Sequence, residues 1–307
     1  MSGYKDCYGD EVVRIFTDLF LSDKPLWIAR YGGSDTFAYE VFKNTNKLSK
    51  ESVNCVSKFN GFFCKNKNTI LNVFAESTKD YYDSLQNSDF ITIIGGENEV
   101  NNFINHNNSF IHKHISTYSF IEAFEPFFKS FKIWGENKKI LIISPFSKTI
   151  KYQTSAERIN KILTHHTFPN CSFITYQTPI TYNTDDFTSN YFKTETNGYN
   201  NWLELSNKMC NEIKDLDFDV AFISAGIYTM NIGNFIKKNG KKAIYIGGML
   251  NVLFNIYGSR YDTSFFNNFM NKEYQVDVMD SFDDLTNNNS LYVKNEALGA
   301  YMRNKCI

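Results

Sequence analysis

Five short apolar runs punctuate the chain, each closing on small or turn-forming residues: LWIARYGG, FITIIGGE, KKILIISPF, DVAFISAG and KKAIYIGG. Uninterrupted apolar runs of this length, rich in Ile and Val, are what strands buried on both faces require. CSFITYQTP is a weaker sixth. Helical spacing lies between the runs. Val12, Ile15, Phe16, Leu19 and Phe20 share one face before the first run. Ile159, Ile162 and Leu163 predict a helix after ISPF, closed by His165 and His166, and Trp202, Leu205, Met209, Ile213 and Leu216 predict another. The alternation predicts an α/β fold, a Rossmann-like parallel sheet flanked by helices and built from right-handed βαβ units. A soft boundary at WGENKK, near residue 135, divides the chain into residues 1–135 with RYGGSD and residues 136–307 with the ISPF, SAG and IGG turns. The two read as halves of one compact unit.

In such sheets ligands bind beyond the carboxyl ends of the strands. Those positions are residues 30–35, 95–97, 144–146, 224–228 and 247–250, and every set but the Ser-Pro one carries glycine. Glycine lets backbone approach a ligand, and free N–H groups where a helix begins favour an anion such as a diphosphate. Arg30, one of only five arginines, stands at such an edge. Its guanidinium either caps a structural carboxylate or grips a phosphate or carboxylate of a ligand. Asp35 is either the N-cap of the next helix or an oxygen donor to a divalent cation and a proton acceptor. Arg260, after IYGS, lies where a loop folds back over the sheet edge. The long polar stretch of residues 177–200 reads as a loop that lines the site.

Composition narrows the class. Aromatics make up 17% of 307 residues, which marks a globular chain. A net charge of −1 with no basic stripe excludes an ordinary nucleic-acid binder. No apolar run of about 18 residues exists, so no membrane span is expected, and the N-terminus lacks the apolar stretch of a signal peptide. The six scattered cysteines read as reduced thiols. A cytoplasmic protein is expected, and its aromatic richness admits a homodimer. There is no GxGxxG for a nicotinamide cofactor, no P-loop and no GxSxG elbow. His106, His112 and His114 read as a solvated loop, and KKNGKK as a capped helix end with a solvated turn.

Three stretches together resemble a known family. ARYGGSD is similar to the RxGxxE/D signature of GT-D type glycosyltransferases. KKILIISPFSKTIKYQ resembles their Ser-Pro-Phe segment, and residues 219–261 resemble a block with Gly-Ala-Tyr, Gly-Gly and Gly-x-Arg. The order matches over roughly residues 10–262, with an echo at EALGAYM. The resemblance implies a nucleotide-sugar donor, read as UDP-linked, and Mn²⁺ or Mg²⁺. Arg30 and Gly32 match the signature. Its first acid falls on Gly33 and its second on Asp35, so one carboxylate of the pair is kept, and a metal shell would need Glu97 or a substrate diphosphate to complete it. The reading is a hexosyl- or N-acetylhexosaminyl-type transferase acting on a glycan or glycoconjugate hydroxyl. Arg30, Arg260, Gly226, Gly247 and Gly248 would hold the diphosphate beside Gly32 and Gly33. Asp35 would serve as metal ligand or base, and Ser144 and Gln153 would hold the donor. The alternatives are a pyruvyl or phosphate transferase and a degenerate binder of nucleotide sugars or of a partner.

Overall fold

A computed structural model describes residues 5–6, 9–94, 103, 114–118, 124–179, 181, 199–258 and 264–280. The elements run β1 (Lys5–Asp6), α1 (Gly9–Leu21), β2 (Leu26–Tyr31), α2 (Ser34–Thr45), α3 (Lys50–Asn60), α4 (Ile70–Asn87), β3 (Phe90–Ile94) and β4 (His114–Tyr118). They continue with α5 (Phe124–Trp134), β5 (Lys139–Ser144), α6 (Ser147–Gln153), β6 (Ser172–Gln177), α7 (Trp202–Lys214) and β7 (Val220–Ile223). The last are α8 (Tyr228–Lys238), β8 (Lys242–Tyr245), α9 (Met249–Leu253) and α10 (Ser264–Phe269).

The strands form one sheet in the order β1-β4-β3-β2-β8-β7-β5-β6, and every pairing is parallel. All six expected runs are strands. The sheet crosses the boundary drawn near residue 135, because β8 lies between β2 and β7. Alternate strand residues feed two cores. Trp27, Ala29 and Tyr31 pack on one face with α2, α4, α7 and α8. Leu26 and Ile28 pack on the other with α1, α5, α6 and α9.

Tryptophan needs a partner for its indole N–H when buried, and serines supply all three. Trp27 donates to Ser84 at 3.0 Å, Trp134 to Ser130 at 2.9 Å and Trp202 to Ser77 at 2.8 Å. KKNGKK forms the helix end and exposed turn expected of it, with Lys238 in solvent, but its other three lysines reach back to the ends of helices. Lys242 donates to the carbonyls of Leu19, Phe20 and Ser22 after α1, Lys241 to Leu216 after α7, and Lys237 to Asn87 after α4. Ammonium groups suit the partial negative charge of these carbonyls.

Two expectations are corrected. Residues 154–165 form turns, not the helix expected over Ile159, Ile162 and Leu163. Their backbone is committed elsewhere: Thr164 N–H donates to Phe269 O, and Asn271 N–H to Ile162 O. His114 opens β4 and does not sit in a solvated loop, because the strand is held between β3 and β1. His106 and His112 lie outside the described residues.

His166 therefore caps no helix. It stacks on Phe269 at 5.1 Å and meets the edge of Phe128 at 5.5 Å. Burial first, and then the nearby Lys132, push its pKa below the ordinary 6.5. A depressed pKa gives stability that is present above the unfolded value and lost as pH falls through the folded one. Acidification from pH 7 to 5 is expected to lower the melting temperature, and His166→Phe to flatten that slope. Parallel slopes in both proteins would refute the assignment.

Candidate functional site

The helices that leave β2 and β8 go to opposite faces: α2 packs through Ala38 and Tyr39 into one core, α9 through Leu250 and Val252 into the other. Chain ends that part in this way open a crevice over the carboxyl edge. Arg30 stands at that edge, one residue before the end of β2. Its guanidinium carbon lies 3.8 Å from the centre of the Tyr245 ring, and Nη2 donates to the Tyr245 hydroxyl at 2.8 Å. The Nε is buried with no hydrogen-bond partner among the described residues. Arg30 makes no ion pair with any of them either, so the carboxylate-capping role open to it in the sequence is not filled there. An unsatisfied guanidinium N–H is costly to bury, and an anionic ligand would relieve that cost.

Gly247 is part of the same arrangement. Its φ is +62°, and a Cβ built there would stand 2.1 Å from Arg30 Nη1. Only glycine lets the β8 turn pass beneath the guanidinium. Gly32 has φ +112°, and a Cβ there would meet Ile94 O at 2.6 Å. Its N–H donates to Thr36 Oγ1 at 3.0 Å. Ala225 N–H repeats the device with Thr229 Oγ1, also at 3.0 Å, and folds the β7 turn at Gly226 as the β2 turn is folded. Gly33 is the N-cap of α2, and no side chain caps it. Gly248 is the N-cap of the short α9. Asp35 lies in the first turn of α2, and its side chain is outside what the structure describes. Arg260 and Glu97 also lie outside the described residues, as do residues 182–198 of the polar loop. The ends of that loop are fastened near the β7 turn. Thr181 bonds Gly61 O at 2.6 Å and the Tyr228 hydroxyl at 2.8 Å, and Lys65 N–H donates to Asn200 O at 2.8 Å.

The register explains why chemistry gathers at this edge. Phe90, Ile28, Ile244, Phe222 and Ile142 stand side by side across the sheet on one face. Two residues later the same five strands read Thr92, Arg30, Ile246, Ser224 and Ser144, so the row turns from wholly apolar to mostly polar. Ser224 is half-buried, and among the described residues its hydroxyl has no hydrogen-bond partner. Thr92 is already paired to Ala29 O at 3.2 Å.

Ser144 and Gln153, both expected to hold the donor, are used by the fold. Ser144 is fully buried, and its Oγ accepts from Phe146 N–H at 3.2 Å. Gln153 closes α6, away from the strand ends. Its Nε2 donates to Asn255 O at 3.2 Å and Tyr274 O at 3.0 Å, and its Oε1 accepts from Arg158 at 2.7 Å. The N-terminus of α6 already holds an anion of the chain itself. Asp280, 6% exposed, accepts from the N–H groups of Lys148 at 2.9 Å and Thr149 at 3.0 Å and from the Thr149 hydroxyl. Asp280→Ala is expected to cost about 1 kcal/mol in denaturant unfolding, the usual worth of such a cap. A cost within error would show the cap to be idle.

Tyr245 joins the site although no local signal in the sequence points to it, whereas Ser224 opens the strand end at 224–228 where the sequence already expects a ligand. Tyr245 reads as one more apolar strand residue, and only the sheet order reveals that it adjoins Arg30. No group of three His, Cys, Asp or Glu side chains able to hold a metal exists among the described residues. The expected Mn²⁺ or Mg²⁺ therefore finds no shell there. None of the four described cysteines, Cys55, Cys64, Cys171 and Cys210, is in a disulfide. Burial pushes the thiols of Cys171 and Cys210 up to about 12, which makes them poor nucleophiles. Among the described residues no helix is long and apolar enough to cross a membrane. Compared with protein-family models, curated proteins and solved structures, the chain matches none.

Proposed function

We propose that this chain is a glycosyltransferase whose nucleotide-sugar donor lies across the carboxyl ends of β2, β8 and β7. One observation carries the reading: Arg30 lies over the sheet edge with a buried Nε that no described residue satisfies. A diphosphate is the anion that fits the chemistry best, since a guanidinium grips phosphate in a planar fork. The glycine turns at Gly32, Gly226 and Gly247 let backbone come close to it.

In transfer, an acceptor hydroxyl attacks the anomeric carbon and the bond from that carbon to the diphosphate oxygen breaks. The electron pair leaves with the diphosphate, and Arg30 balances the charge that develops there. Stabilisation of this kind is commonly what lowers the barrier most. Tyr245 fixes the guanidinium in plane by stacking and by its hydroxyl. The acceptor proton goes to a carboxylate, and Asp35 in the first turn of α2 is the one that the sequence offers.

Gly33 supports a second reading. It stands where the resembled family has its first acid, and a chain without that acid could bind a nucleotide sugar without transferring it. A thermal-shift screen of UDP, GDP, CDP, TDP and their sugars tests the shared premise, because a ligand of the folded state raises the melting temperature by mass action. A rise confined to one nucleotide class, undiminished by EDTA, is the expected result. No rise with any of them would defeat both readings.

A further inference from the structure

The two edges of the sheet are unlike. One ends on β1, two residues long, with the sequence Lys-Asp. Brevity and charge are usual means of keeping a free edge from pairing. The other ends on β6, whose six residues SFITYQ include no charge, no proline and no glycine. Ser172 N–H donates to Lys138 O at 2.9 Å and Thr178 N–H to Ser144 O at 3.2 Å. The even-numbered residues of β6 thus face β5, and by alternation the N–H and C=O groups of Phe173, Thr175 and Gln177 face outward. Among the described residues no backbone partner meets those outward groups. Residues 173–177 are all half-buried, with Phe173, Ile174 and Tyr176 partly covered by the two cores.

We propose that β6 is the docking edge for a second copy of this chain, paired antiparallel across a two-fold axis at Thr175. The outward groups are symmetric about that residue. Thr175 then opposes the partner's Thr175, and Phe173 opposes the partner's Gln177, with reciprocal hydrogen bonds at each pair. Such self-complementarity is what an isologous interface needs. The flanking helix adds a charge match. Tyr176 donates to Glu212, which places α7 over this edge. Lys208 and Glu212 lie one turn apart on α7, paired at 2.8 Å and both exposed. Antiparallel copies of α7 bring Lys208 to the partner's Glu212, so each ion pair can be answered across the axis. An unrelated extended peptide could use the same backbone groups but would lack this match, and so a second copy is the occupant favoured.

Sedimentation of the full chain tests this across a wide range of concentration. The wild-type protein is expected at twice the 35.6 kDa of one chain. Thr175→Lys sets like charges against each other on the axis and should halve the mass with the circular dichroism unchanged. Mixing Thr175→Lys with Thr175→Glu should restore the doubled mass. Thr175→Pro removes only an outward N–H, which an edge strand tolerates, and should also give the single-chain mass. A wild-type monomer at every concentration would overturn the proposal. So would a dimer that survives both Thr175→Lys and Thr175→Pro, or Lys and Glu variants that do not pair when mixed.

Discussion

Arg30→Ala is expected to weaken binding of the nucleoside diphosphate by roughly 10- to 100-fold, the usual worth of a lost hydrogen bond to a charged group. The melting temperature without ligand should barely move. The substitution removes a stacking contact and one hydrogen bond to Tyr245, but it also removes a buried Nε that has no partner among the described residues. The two changes oppose each other. Arg30→Lys should recover only part of the affinity, because an ammonium keeps the charge but not the planar fork. Gly247→Ala should imitate the loss from the other side, since its Cβ would fall 2.1 Å from Arg30 Nη1. Calorimetric titration reads all three. Affinity unchanged in Arg30→Ala would remove the guanidinium from the site.

Gly233→Ala is the substitution expected to cost the fold most. Gly233 lies in α8, and a Cβ added there would stand 2.2 Å from two atoms of the Trp27 ring. Trp27 is fully buried and cannot retreat. Its indole N–H is held by Ser84, and the Ser84 hydroxyl donates onward to Met230 O at 2.7 Å on α8 itself. The helix must therefore lift from the sheet or break that chain of bonds. Overpacking a tight core costs about 1–3 kcal/mol and occasionally more, and this contact belongs at the upper end. Helix propensity acts the other way, since Ala is better than Gly by roughly 1 kcal/mol in an unhindered helix. A net loss on the order of 2 kcal/mol in denaturant unfolding is expected, and a gain in stability would show that α8 has room to shift.

What is legible in the sequence is whatever rests on one chain segment and a strong apolar period. The six strands with uninterrupted apolar runs appear as expected, as do the helices around Val12–Phe20 and Trp202–Ile213. β4 is invisible there because HISTY holds a single aliphatic residue and is a strand only by virtue of its neighbours. The turns over residues 154–165 mislead for the opposite reason. Ile162 and Leu163 face the core, but the backbone there is tied to the end of α10 and the residues after it, Thr164 N–H to Phe269 O and Asn271 N–H to Ile162 O. Arg30 can be singled out because an arginine at the end of an apolar strand is conspicuous. Tyr245 cannot, since its meeting with Arg30 spans 215 residues of sequence and depends on β8 lying beside β2. Gln153 shows the same limit: nothing local says that the amide of a glutamine at the end of α6 bonds Asn255, Tyr274 and Arg158.

Release of nucleoside diphosphate decides whether the Arg30 edge holds a sugar donor for transfer. The full-length protein would be given each nucleotide sugar with and without a panel of glycan acceptors. Release is expected from one donor class, rising with acceptor and falling on the order of 100-fold in Arg30→Ala. Acceptor-dependent release undiminished in Arg30→Ala, or tight donor binding with no release over the whole panel, would show that the edge does not serve transfer.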